Sequence, residues 1–535
     1  MTLDLPTSDS MESPRRERTR AEGRADLARP VPTPAPDLKL LKPGETCWRV
    51  EQADRLALLV DGAAYFAAAK AAILNAKHSI WLLAWVFDPL TRLTPDRNKK
   101  SGDPENPDRL GLLLRRLSSL NPGLDVRILA WDMPWLIGAP QGLPCQRGAA
   151  YFVGSRVKYR LDHTLPRSAC HHQKALIIDG RVAFVSGGDL GADRWDTGEH
   201  ADHAPERRLP SGKRYPARHE VSLMVDGPAA QALGDLFAER WQRVTGELPP
   251  PPPAPTKEDA SPWPEVIAPD IRRQPFGIAR TTPTYKQQEG AEESLALHLA
   301  AIAAAKTTIY IENQYLTSRL ITEALALRLE EEDGPEIVVI GPANSPSYFD
   351  QMTMDSARSL AVNRLIDADR YGRFHAYCAR TPHDQPIIVH AKVLIVDDWL
   401  LKVGSTNLNN RSTGLDSEAD VAVEAQDEET RIAIRAFRNR EIAHFIGREP
   451  EEVVAAIAER GSIGAAIDAL DTTGPTRRLK PMGKEEVRGL ARFIATRAIG
   501  DPLRTDDAWR PWVRRRHIRR DIQRLLPQAR LSQEP

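Results

Sequence analysis

The chain holds only 4 cysteines in 535 residues. Cys47, Cys145, Cys170 and Cys378 are too few and too scattered for a disulfide framework or a thiolate zinc site. Their spacing predicts reduced thiols of a cytosolic protein. An excess of either charge is missing too, with Lys+Arg and Asp+Glu at 73 each. A dedicated nucleic-acid binder carries a clear basic surplus, so no nucleic-acid partner is expected. The opening stretch, MTLDLPTSDSMESPRRERTR, has no apolar h-region and does not read as a secretory signal. No apolar run reaches the roughly 18–20 residues of a membrane span. The best candidate, residues 71–90, is interrupted by Lys77, His78 and Asp88 and reads as a helix followed by a strand. These absences predict a soluble, cytoplasmic protein with no transmembrane segment; export by a signal-independent route stays open.

Two stretches punctuate what remains. Residues 1–40 are charged, Pro-rich and short of large apolar side chains, a composition that predicts disorder. Pro249 to Pro253 form an uninterrupted proline run, which favours an extended linker or strap over residues 247–275. On either side the sequence repeats itself. AAILNAKHSIWLLAWVF in the first half answers to AAIAAAKTTIYIENQYL in the second, each a helix leading into an apolar strand. Each half continues with a helix, a strand (Asp125 to Trp131; Glu336 to Ile340), an H-x-K strand, a Gly-containing turn and a closing amphipathic helix. Strands alternating with helices indicate α/β layers, and a period above 200 residues indicates duplicated domains. The expected fold is α/β: two pseudo-twofold lobes, residues 45–246 and 276–446, each a mixed sheet flanked by helices, with the active site between them. Residues 447–535 are expected to form a helical extension with a basic tail.

One motif is written twice. His172-Gln173-Lys174 is followed by four aliphatic residues and Asp179; His390-Ala391-Lys392 is followed by four and Asp397. A single chance match to H-x-K-x4-D is expected on the order of a few hundredths of a time in a chain this size. Residues i and i+2 of a strand share a face, so His172 should point with Lys174, and His390 with Lys392. Asp179 and Asp397 belong to the motif but fall on the opposite parity, which predicts a structural role at the strand end. Seventeen residues after each His stands a polar position behind small residues: Asp189 in the first half, Asn407 in the second. Ser405 and Asn407 share parity and would donate to a phosphoryl oxygen, whereas an ionised Asp189 cannot donate, so the halves are chemically unequal.

Phosphodiesters resist attack because the phosphate is anionic and the alkoxide leaves poorly. A metal-free solution needs a nucleophile, a proton donor and cations over the non-bridging oxygens. Two His and two Lys, one pair per lobe, supply that set, and no cofactor or metal is expected. One His attacks phosphorus, forming a phosphohistidine; the other protonates the leaving alcohol and then activates water or an acceptor alcohol. A nucleophilic His needs an acceptor on its other ring nitrogen. Glu220 and Glu418, each opening the strand before the closing helix of its half, are the candidate orienters.

These residues resemble the phospholipase D superfamily and its duplicated HKD motif, over roughly residues 45–445. The doubled His171-His172, the Arg194-Trp195-Asp196 that follows, the stretch Ile309 to Tyr315 (IYIENQY) and Gly404-Ser405-Thr406-Asn407 resemble the eukaryotic-type branch. The resemblance implies hydrolysis of glycerophospholipids to phosphatidic acid and a head-group alcohol, with transfer to other alcohols. It also implies a phospholipid partner at a membrane surface, His172 as nucleophile with His390 as acid/base, and Asp189, Trp195 and Gln314 at the substrate. A monomer with an intramolecular pseudo-dimer is expected. Same-chemistry alternatives are a cardiolipin-synthase-like phosphatidyltransferase and a nuclease; the non-enzymatic alternative is a phospholipid-binding scaffold. In the tail, Trp509 and Trp512 among basic residues suit an anionic membrane surface, and Val513, Ile518, Ile522 and Leu525 equally suit a helix packed on the core.

Overall fold

The computed structural model describes residues 39–95, 107–254, 260–345, 350–471 and 476–529. The segment expected to be disordered lies outside them up to residue 38. Strand Ser79–Ala84 shows how the sequence makes the sheet. All six residues are buried, with Trp81 and Leu83 in one core and Ile80, Leu82 and Ala84 in another. A strand apolar on both sides must lie inside a sheet covered on both faces. Thr308–Asn313 repeats the pattern, with Tyr310 in the first core and Ile309 and Ile311 in a third.

The first half supplies β1 (Arg49–Val60), β2 (Ser79–Ala84), β3 (Asp125–Trp131), β4 (Lys158–Asp162), β5 (Ala175–Ile178), β6 (Val182–Ser186), β7 (Arg218–His219) and β8 (Val221–Asp226). The second supplies β9 (Ile271–Thr282), β10 (Ala291–Glu292), β11 (Thr308–Asn313), β12 (Glu336–Gly341), β13 (Phe374–Arg380), β14 (Ile388–Val389), β15 (Lys392–Val396), β16 (Leu400–Gly404) and β17 (Glu418–Glu424); β18 (Arg478–Pro481) follows. Reading outward, the orders are β1-β8-β6-β5-β2-β3-β4 and β9-β17-β16-β15-β11-β12-β13. They correspond strand for strand, and in both only the last two pairings are parallel. The two runs are not separate sheets. Antiparallel pairing of β1 with β9, from Arg49↔Ile278 to Leu56↔Ile271, makes one mixed 16-stranded sheet.

The closing helices Pro228–Thr245 and Glu428–Ile446 contribute Phe237, Trp241, Ile434 and Phe437 to one core shared by both halves. Their ends follow from local chemistry. Pro228 opens the first after Gly227, and Gly246 ends it in the left-handed conformation. Asp427 caps the second by accepting from Thr430 N, and Gly447 ends it. The opposite face of the sheet is covered half by half, including by helices Asp61–Leu74 and Glu293–Ala304. Pro250, Pro251 and Pro253 of the proline run are exposed, and further on Trp263 is buried, with the Arg55 guanidinium 4.5 Å from its ring centre. Beyond residue 446 the chain is mostly helical, but β18 adds a strand to the sheet edge on β13. The last helix, Pro511–Leu525, buries Ile518 and Ile522 against the second half and leaves Trp509 and Trp512 exposed.

Candidate active site

The two motifs meet through exchanged carboxylates. His172 Nδ1 lies 2.9 Å from Glu418 Oε2, and His390 Nδ1 lies 3.0 Å from Glu220 Oε2. Each His is thus held by a carboxylate from the other half. The backbone makes the same exchange: His172 N donates to Ser417 O (2.8 Å) and His390 N to His219 O (2.9 Å). The short parallel pair β7–β14 belongs to this seam. The His-x-Lys segments sit at the entrance to their strands, since β5 begins at Ala175 and β15 at Lys392. Each Lys Nζ turns back on its own motif His, donating to His172 O (2.7 Å) and His390 O (2.5 Å).

Burial shapes the electrostatics. It drives His172 well below its usual value, reinforced by Lys174 and Lys392, and lowers His390 likewise, reinforced by Lys392 and Arg218. It pushes the Glu418 carboxyl up to about 8, against the opposing pull of Lys174 and Ser405, and raises Glu220 against Arg218 and Lys392. Burial also lowers both lysines, Asp189 opposing at Lys174 and Glu220 at Lys392. An ionised carboxylate only accepts, so it fixes the proton on Nδ1 and leaves the Nε2 lone pair for chemistry. His172 keeps 13% side-chain exposure and His390 8%, enough for a reactant to reach one edge of each ring.

The polar positions after the motifs divide. Asn407 is buried, and its Oδ1 has no hydrogen-bond partner among the described residues. Ser405 departs from expectation: its hydroxyl donates to Glu418 Oε2 and accepts from Ala419 N. It therefore braces the carboxylate behind His172 and does not offer its proton to a phosphoryl oxygen. Asp189 accepts from Trp85 N (2.8 Å) and lends negative charge to Lys174. Gln314 Oε1 accepts from Lys392 Nζ (3.3 Å), so it bears on that ammonium. Trp195 packs against the first-half core, and its carbonyl accepts from Tyr215. Its indole is drawn there by apolar contact.

The equivalent of Ser405 in the first half is Gly187, and its neighbour explains why. A Cβ on Gly188 would lie 2.5 Å from Glu220 Oε1, and one on Gly187 3.0 Å from His390 O. Gly188→Ala is expected to push Glu220 off His390 and lower kcat by about 10–100-fold with little change in KM. Kinetics of the folded variant, checked by its melting temperature, would test this; an unchanged kcat would remove the steric argument.

Asp179 accepts from the backbone N–H groups of Lys77, His78 and Ser79 at 2.7–2.9 Å. Asp397 accepts from those of Lys306, Thr307 and Thr308 at 2.6–2.8 Å. Each sits in a hairpin with positive φ at two successive residues: Asp179 (55°) with Gly180 (64°), and Asp397 (50°) with Asp398 (59°). Such turns favour Asp, Asn and Gly. The carboxylates gather the N–H groups where a helix hands over to β2 or β11.

Sequence reasoning missed several groups around the histidines. Trp85 meets His172 edge-on with ring centres 6.3 Å apart, and Trp131 stacks behind it. Arg194 and Arg218 add positive charge near His390. Gln173 Nε2 donates to Glu418 O, and its Oε1 accepts from Arg240, which is paired with buried Asp162. Burial works against that carboxyl, yet His171 and Arg240 hold it well below the usual carboxylate range. Arg218, Trp85 and Trp131 carried no motif signal; Arg194 entered only through the family resemblance, and Gln173 only as a spacer.

Residues 298–440 match the family model described as "Cardiolipin synthase, PLD-like domain". Phospholipase D A of Dictyostelium discoideum is 25% identical over 71% of this chain and 34% of its own length. Phospholipase D alpha 2 of Oryza sativa subsp. japonica is 26% identical over 66% of this chain and 59% of its own length. Cardiolipin synthase A of Pseudomonas putida is 28% identical over 46% of this chain and 43% of its own length. The chain therefore spans between about a third and three fifths of these relatives. A phosphatidylserine synthase structure from Haemophilus influenzae superposes with a TM-score of 0.49 at 13% identity, covering 84% of this chain and 99% of that one. These similarities support the phospholipase D superfamily. Among the described residues no helix is long and apolar enough to cross a membrane.

Proposed function

We propose that the protein is a phospholipase D-type phosphodiesterase that hydrolyses glycerophospholipids to phosphatidic acid and the head-group alcohol. The observation that carries this reading is the crossed pair of His–Glu contacts, each His with a motif Lys two residues on. His172 Nε2 attacks phosphorus while the bond from phosphorus to the head-group oxygen breaks. The negative charge of the bound phosphate favours a proton on His390 Nε2 against the burial that disfavours it, and His390 gives that proton to the oxygen, so the head group leaves as an alcohol. His390 then takes a proton from water as the water oxygen attacks the phosphohistidine, which releases phosphatidic acid and restores His172. Lys174 and Lys392 neutralise the non-bridging oxygens, with Asn407 beside them. An alcohol in place of water gives transfer. The family model's description favours a second reading with a lipid alcohol as acceptor, a cardiolipin-synthase-like phosphatidyltransferase. Exposed Trp509 and Trp512, on either side of Arg510 and Pro511, offer an aromatic and cationic contact for a lipid surface.

Phosphatidylcholine liposomes, with and without ethanol, test the reading beside a His172→Ala control. Choline release with phosphatidylethanol formation, both lost in the variant, is the expected result. Product only from phosphatidylglycerol would favour the phosphatidyltransferase, and silence on every lipid would reject the function.

A further inference from the structure

Four side chains that the reaction does not use converge behind Glu220. Asp61 opens the helix Asp61–Leu74, His200 lies in the loop after the first motif, His219 precedes Glu220, and His444 stands in the last turn of the second closing helix. Asp61, His200 and His219 are fully buried and His444 nearly so. His200 Nε2 is 3.0 Å from His444 Nε2, and His219 Nδ1 is 3.1 Å from Asp61 Oδ1. His444 Nε2 is 3.4 Å from Asp61 Oδ2, and His200 Nε2 3.6 Å from Asp61 Oδ1. One donor atom from each residue lies within 4.8 Å of all the others. A tetrahedral ion with bonds of about 2.0–2.1 Å has donor–donor edges of about 3.3–3.4 Å. The four measured separations, taken to either oxygen of Asp61, lie on both sides of that edge.

The orientation of the donors points the same way. Asp61 Oδ2 and His219 Nδ1 are buried and have no hydrogen-bond partner among the described residues. His219 Nδ1 is close to Asp61 without being aligned on it. The far nitrogens of two rings are already engaged: His200 Nδ1 with Asp196 Oδ2 at 3.0 Å, and His219 Nε2 with Glu312 Oε2 at 2.9 Å. A carboxylate on the outer nitrogen fixes the tautomer that turns its lone pair inward, the usual arrangement behind a metal-bound His. Charge balance also asks for a cation. Asp61, Asp196, Glu312 and Glu441 are all buried here, and among the described residues the guanidinium bonded to them is that of Arg207, on Asp196 at 3.1 Å. His219 stands between Asp61 and Glu312, and a cation among these carboxylates would lower the cost of burying their charge further.

We propose that Asp61, His200, His219 and His444 bind one zinc ion as a closed structural site. Nitrogen and carboxylate donors in tetrahedral array suit zinc, and four protein ligands leave no position for a reacting water. The ion would fasten the start of a first-half helix, the loop after the first motif and β7 to the closing helix of the second half. It would also steady the chemistry. Asp61 N donates to Glu220 O at 2.7 Å, and Glu220 N approaches Asp61 Oδ1 at 3.4 Å. The ligand Asp61 therefore grips the residue whose carboxylate holds His390.

The test is elemental analysis of the full chain, purified without chelator or histidine tag, with no substrate present. About one zinc per chain is expected in the wild type and in His172→Ala, falling below about a tenth in His200→Ala and His444→Ala. Because those two variants risk misfolding, the wild type supplies a second readout. Stripped with phenanthroline it should melt earlier, regain its melting temperature with Zn2+, and show the visible absorption of tetrahedral cobalt with Co2+. Wild-type protein that stays metal-free after dialysis against Zn2+ and Co2+, with unmoved melting, would overturn the proposal and leave protons holding the cluster. Zinc-loaded protein silent on lipids would reject the phosphodiesterase reading and leave this one standing.

Discussion

His390→Ala is expected to stop turnover on phosphatidylcholine yet leave a covalent phosphoenzyme that wild-type protein never accumulates. In the proposed mechanism both steps need His390: it protonates the leaving alcohol, then deprotonates water. Removing it should lower kcat by about 10^4-fold or more, since residues acting as one unit lose nearly everything together. A p-nitrophenyl phosphodiester changes the first step only. Its leaving group departs without a proton donor, so His172 can still attack, and the release of one nitrophenolate per site should then stall. Phosphorus would be found on His172 by mass spectrometry at alkaline pH. The reciprocal variant, His172→Ala, should show neither burst nor adduct. A burst in His172→Ala and none in His390→Ala would exchange the two roles.

The second large effect concerns a residue 246 positions from the ring it serves. Glu418→Gln is expected to cut kcat by about 10^2–10^4-fold with KM nearly constant, as when the carboxylate behind a catalytic imidazole becomes an amide. The pH profile separates positioning from mere folding. Burial pushes the Glu418 carboxyl up to about 8, so in the wild type it must shed its proton before it can hold His172 Nδ1–H. Activity should therefore rise with pH towards that value. A glutamine does not titrate, and in the variant this rise should vanish while the melting temperature stays close to wild type. A Gln variant that keeps the wild-type profile would show that Glu418 does not govern His172.

Much of this site was legible because the chain states it twice. The repeated H-x-K-x4-D and its strand–helix frame announced the duplication, and position alone picked out Glu220 and Glu418. What position could not supply was the exchange. Which carboxylate meets which ring depends on how β7 and β14 lie beside one another, a contact between residues some 170 apart in sequence. Ser405 failed for a different reason. Parity along a strand says which side a residue faces, but not that a buried carboxylate will claim the hydroxyl. The fusion of the two sheets was hidden for a similar reason. β1 and β9 are two long strands whose alternation suits an edge as well as an interior. The cluster of Asp61, His200, His219 and His444 gave no signal at all, because its members stand alone in four distant segments.

The antiparallel joint between β1 and β9 has a consequence for ancestry. Strand-for-strand correspondence about such a joint is the geometry of a symmetric pair of identical subunits, each lending a carboxylate to its neighbour's histidine. Joining the copies into one chain released them from being identical. Gly187 now stands opposite Ser405, and Asp189 opposite Asn407. In a true dimer any change that favours a nucleophile is forced upon the proton donor as well; here each histidine is free to acquire its own surroundings. Fusion is what allows a site built from two equal parts to assign them unequal work.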